Sequence, residues 1–173
     1  MSQFVGNVIA DSLARCLGYA ESLLKDVKSE QFSRLAVVNG RTIESNHPAF
    51  AYGHLSLYGP RILRQFGQAG PEVPEGYEAL FSQHAKCVDD PDGMIYPPMA
   101  EITAAYFDGY RSALSLLRWL PDEALQAANP MGGRMTELFP TLGSLHAFYC
   151  GGHMMLHLGQ VSAWRRMMDL GAA

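Results

Sequence analysis

The sequence predicts an all-α chain folded as a four-helix bundle. Two observations carry that expectation: long amphipathic segments spaced along the chain, and a connection between the second and third that is too long for a simple hairpin turn. Neither side of that connection holds enough helix to close a core alone, so all 173 residues (1–173) read as one domain.

From Gln3 to about Lys28 the apolar residues Phe4, Val5, Val8, Ile9, Leu13, Cys16, Leu17, Ala20, Leu23 and Leu24 recur at three- and four-residue steps. That spacing predicts an amphipathic first helix. The stretch SEQFSRLAVVNGRTIESN reads mainly as loop, and its Asn39-Gly40 pair between short β-branched runs suits a small hairpin. Asn46 is placed to cap a second helix with Pro48 in its first turn, running through FAYGHLSLYG into RILRQFG. Gly59-Pro60 should kink or interrupt it. Residues Gln68 to Pro97, broken by Pro71, Pro74 and Pro91, form the long crossover, with slight periodicity around Tyr77 to Cys87. A third helix is predicted from Pro98 to about Leu120, stopped by Pro121. After another loop, Thr141 can cap a final helix reaching about Leu170, before Gly171.

Composition narrows the function classes. Thirteen Lys and Arg against 17 Asp and Glu give a formal net charge of −4, with no basic block, which argues against nucleic-acid binding. No stretch approaches the length of a membrane span, and the first residues lack the basic and apolar regions of a signal peptide. Cys16, Cys87 and Cys150 are too few and too scattered for a disulfide framework. A cytoplasmic protein is expected. The unusual features are six histidines and nine methionines.

On the final helix, at about 100° of rotation per residue, His146, Cys150, His153, His157, Gln160 and Trp164 fall within one stripe. Three histidines and a glutamine therefore stand where Leu or Ile would pack best. Unpartnered, each buried polar group costs about 1–3 kcal/mol. Two imidazoles four residues apart can aim at one point, and a divalent metal takes neutral imidazole nitrogens at about 2 Å. Core histidines bonded to carbonyls are the alternative. A third ligand has to come from another helix, and His54, well inside the second helix, is best placed; His47 more plausibly caps that helix, and His84 lies in the crossover.

These residues resemble a known family. PAFAYGHL on an early helix, paired with HMMLHLGQ on the last, is similar to the DinB-like (DinB/YfiT-like) superfamily of metalloenzymes, whose pattern is one His on the second helix and H-x-x-x-H-x-G-Q on the fourth. Here that run is His153, His157, Gly159 and Gln160. The resemblance covers essentially the whole chain. It implies an up-down-down-up four-helix bundle with a long crossover between helices 2 and 3, often a homodimer, in which His54, His153 and His157 hold zinc, nickel or a similar divalent ion. Characterised relatives include enzymes that use a small thiol in transferase or isomerase reactions.

Three neutral histidines leave a bound ion with an open position, the mark of a catalytic site, and such a site supports hydrolysis or thiol transfer on a small-molecule substrate. Gln160, about one turn beyond His157, can orient a ligand or bind water, or simply bond a neighbouring helix. Tyr58, four residues after His54, can donate a proton or bind an oxyanion, or serve as core. Cys150 reads as a small buried hydrophobe, with a fourth metal ligand as the other reading, and His146 as an ordinary partly buried His, with a proton carrier or a substrate contact as the other readings. The run Asp89, Asp90, Pro91, Asp92, Gly93 reads as a solvated turn rather than a calcium loop. Arg165-Arg166 reads as a complement to the helix dipole. A non-catalytic metal-binding bundle, acting as a binding or interaction module, is the other reading of the chain.

Overall fold

The computed structural model describes residues 1–173 and is all-α apart from one two-stranded hairpin. Helix α1 (Phe4–Leu23) buries Ile9, Ala10, Leu13, Cys16, Leu17, Ala20 and Leu23, the stripe its periodicity predicts. Its first turn is capped from elsewhere in the chain: the Val5 N–H donates to the Asp122 carboxylate at 2.8 Å. The helix ends short of Lys28. Asp26 takes a left-handed φ of 62°, and the Leu23 and Lys25 carbonyls are held by the guanidinium of Arg165, which is buried. Arg165 thus clamps the end of α1 onto the last helix, with a third bond to the Leu170 carbonyl, rather than merely offsetting a dipole.

Strands β1 (Val37–Val38) and β2 (Arg41–Thr42) pair antiparallel around Asn39 and Gly40, both at positive φ, as a two-residue hairpin turn requires. The second predicted helix is split into α2 (Pro48–Ser56) and α3 (Tyr58–Gln65). The break falls at Leu57, two residues before the Gly59-Pro60 pair. Pro60 has no N–H for the Ser56 carbonyl four residues back, so the ladder must restart ahead of it. Gly59 earns its place by packing, since a Cβ there would overlap the backbone of Gly109 in α5 (Met99–Leu117). Both α2 and α3 pack along α5, and α2 also packs on the last helix.

The crossover is not structureless. It contains α4 (Tyr77–Phe81) and folds back over the start of α2. The Asp89 carboxylate takes a forked bond from Arg34 and another from the Leu35 N–H. Asp90 is buried, contrary to a solvated turn, and its carboxylate accepts from the backbone N–H groups of Met94, Ile95 and Tyr96. Burial opposes its ionisation, yet those donors hold its pKa below the ordinary carboxylate value.

After α5 come two short helices, α6 (Asp122–Gln126) and α7 (Gly133–Leu138). Thr141 caps the final segment as predicted, in a reciprocal box with Ser144. That segment is not one regular helix. It runs as α8 (Leu142–Ala147), a π turn over Phe148–Gly152 that contains Gly151-Gly152, and α9 (His153–Met167). A π turn takes in an extra residue, so α8 is rotated relative to α9 and the single stripe is broken. A single cluster of 34 buried apolar residues reaches from Ile9 in α1 to Trp164 in α9. No helix is long and apolar enough to cross a membrane.

Candidate metal centre

α2 and α9 are in contact, and where they meet His54, His153 and His157 converge. One ligand atom from each lies within 4.8 Å of the others, and no carboxylate or thiol belongs to the group. The His54 and His153 Nε2 atoms are 3.2 Å apart, near the roughly 3.3 Å that separates two nitrogens bound at about 2.0–2.1 Å to one tetrahedral ion. The three rings pack edge to face or tilted, with centroids 4.7–5.2 Å apart.

For His54 and His157 a hydrogen bond sets which ring nitrogen faces inward. His54 Nδ1–H donates to the Phe81 carbonyl at 2.7 Å; a carbonyl only accepts, so Nε2 keeps its lone pair. Phe81 reaches His54 because residue 53 is glycine, where a Cβ would stand 2.5 Å from the Phe81 ring. His157 Nδ1–H donates to Gln160 Oε1 at 2.9 Å, and the same oxygen accepts from Asn46 Nδ2 at 3.0 Å. The tautomer of His157 is thereby fixed with its Nε2 lone pair free. His153 has no protein partner at Nδ1. It is held by packing against the rings of Tyr58, Phe148 and Tyr149.

Burial makes all three neutral. It is the largest cause lowering the pKa of His153 to about 3, followed by the neighbouring His157 and His54. His157 is pushed down to about 4 by burial and His54, against the Gln160 bond, and His54 is lowered by burial against its bond to Phe81. Three neutral imidazoles, two of them with the inward lone pair fixed, are a donor set that a divalent ion of the first transition row accepts.

Tyr58, first residue of α3, brings its hydroxyl to 3.3 Å from His54 Nε2. Burial, then Tyr149, raises its pKa, so it is a neutral donor. The other histidines stand apart. His47, rather than Asn46, caps α2: its Nδ1 accepts from the Phe50 N–H at 3.2 Å and its Nε2–H donates to the Val88 carbonyl at 2.9 Å. His84 is exposed beside Gln83. The π turn takes His146 and Cys150 off the face of His153 and His157. His146 packs on Phe66 instead, and Cys150 is wholly buried. Burial raises the Cys150 thiol far above its ordinary pKa, which disfavours the thiolate a metal needs.

Sequence reasoning missed the Phe81 carbonyl, carried by a segment read as loop, and the supporting role of Asn46. No family model, curated protein or solved structure matches the chain. The three-histidine group that could hold a metal ion therefore rests on its own geometry.

Proposed function

We propose that the protein is a divalent-metal-dependent enzyme acting on a small molecule, with a DinB-like four-helix bundle in up-down-down-up order and a homodimeric assembly. The observation that carries this reading is the convergence of His54, His153 and His157 with two of the three rings held by Phe81 and Gln160. Zinc or nickel suits three imidazoles. When bound, such an ion supplies Lewis acidity, lowering the pKa of a water or a small thiol cosubstrate at the open position.

The chain's own residues supply the rest. Gln160 is a positioning residue, holding the His157 ring with its lone pair inward. Tyr58 keeps its proton and donates a hydrogen bond to an oxygen that develops charge beside His54. In thiol transfer the sulfur forms the new bond, the electrophile's leaving group departs with the bonding pair, and the thiol proton passes to solvent. In hydrolysis water takes the place of the thiol.

Zinc- or nickel-loaded protein, given a small thiol with a chlorodinitrobenzene electrophile and separately a nitrophenyl ester, tests the reading. The expected outcome is turnover in one assay that disappears in His153→Ala. Loaded wild type without turnover in either assay favours the non-catalytic, metal-binding module.

A further inference from the structure

Beside the histidine cluster lies a cavity of about 370 Å³, between α3 and the segment around the π turn. Tyr58 and Tyr149 line this cavity and also pack against the cluster: their rings are 4.8 Å apart by centroid, and each packs on His153. The histidine ligands themselves do not line it, so the two tyrosines form a wall shared by cavity and metal centre.

The rest of the lining has a definite chemistry. Leu145 and the two tyrosines give an apolar, aromatic face, and Arg61, Arg64 and Gln65 supply the charged and polar groups, with no carboxylate among the lining residues. Arg61 lies over the Tyr58 ring at 5.0 Å and spends one terminal nitrogen, Nη2, on Glu78, leaving Nε and Nη1 for another partner. The Arg64 contact to Glu72 is long, 3.4 Å, and that Glu is 83% exposed. His146 is only 1% exposed, and both ring nitrogens lack a protein partner. Both nitrogens are closed off from solvent and cavity alike, so His146 backs the cavity wall rather than offering a ligand a hydrogen bond.

We infer that this cavity is the binding site for the organic substrate, an aromatic or similarly apolar small molecule bearing a carboxylate. The carboxylate pairs with Arg64 and Arg61, and the apolar body lies on Tyr149 and Leu145. The reacting end then meets Tyr58, the residue whose hydroxyl reaches His54. The inference rests on the metal-enzyme reading for the reaction, while the binding step stands independently of the ion.

The test uses 3-phenylpropionate and its uncharged amide as probes, titrated into the full-length protein by calorimetry and by chemical shifts. The carboxylate should saturate, shift the signals of Arg64, His146 and Tyr149, and bind about tenfold more tightly than the amide, as one charge-assisted pair provides. Arg64→Met, at an exposed position that folding tolerates, should reduce that preference several-fold, and the double variant Arg61→Met with Arg64→Met should remove it. The proposal is overturned if neither probe saturates in the millimolar range, if the amide binds as tightly as the acid, or if the double variant Arg61→Met with Arg64→Met retains the preference. His153→Ala separates the two readings. Probe binding that persists when ion binding is lost shows the cavity acting on its own, and probe binding absent from a protein that holds its ion contradicts the cavity alone.

Discussion

Two histidines seven residues apart in and before α2 show what separates a structural imidazole from one prepared to hold a ligand. His47 is fully buried, and both ring nitrogens are consumed by backbone: Nδ1 accepts from Phe50, and Nε2–H donates to Val88. His54 adopts the opposite tautomer. Its Nδ1–H goes to Phe81, and its Nε2 lone pair is left facing His153 and the Tyr58 hydroxyl. Residue type and burial are nearly the same at the two positions. The difference lies in the hydrogen-bond partner, a carbonyl at one nitrogen against backbone groups at both.

That contrast breaks apart under mutation. His54→Ala should abolish stoichiometric binding of zinc or nickel, measured by metal analysis after dialysis, and should leave the fold intact by circular dichroism. His47→Ala should do the reverse. It strands the buried Phe50 N–H and Val88 carbonyl and leaves a void, destabilising the protein by about 2–4 kcal/mol in denaturant unfolding, with one ion still bound per folded chain. Equal metal loss in both variants would erase the distinction.

Smaller effects sharpen it. Gln160→Leu removes the acceptor that orients His157 and also leaves Asn46 without its partner. The expected cost is roughly 10- to 100-fold in metal affinity, as for other second partners of metal-bound histidines, read by competition with a chelator. His146, whose nitrogens have no partner, offers the third kind of buried histidine on this chain. Burial alone lowers its pKa to about 4. The unfolded ring takes a proton below about pH 6.5 and the folded ring does not until about pH 4, so the unfolded state binds more protons in that window and stability falls as the pH drops. Between pH 7 and pH 5 the wild type should lose on the order of 1–2 kcal/mol more than His146→Leu, compared by urea midpoints at the two values.

Much of this was legible in the sequence. The three- and four-residue spacing marked the buried face of α1, and His54, His153 and His157 were singled out as the group the fold brings together. Regular helical rotation could not foresee the π turn at Phe148–Gly152, because the extra residue depends on how Gly151-Gly152 is accommodated against neighbouring elements. That one residue moves His146 and Cys150 off the stripe. The Phe81 carbonyl was hidden for a different reason. Backbone acceptors leave no mark in residue type, and the clue was the missing side chain at Gly53, legible only once Phe81 is seen against it. Buried Asp90 and Arg165 likewise looked like surface charges, because the backbone groups that satisfy them lie on loops and helix ends.

X-ray absorption at the zinc edge of zinc-loaded, tag-free protein addresses the central claim most directly. Three imidazole nitrogens at about 2.0–2.1 Å with no sulfur in the first shell are the predicted result, and the imidazole count should fall in His54→Ala. A sulfur neighbour, or fewer than three imidazoles in the wild type, would contradict a site built from His54, His153 and His157.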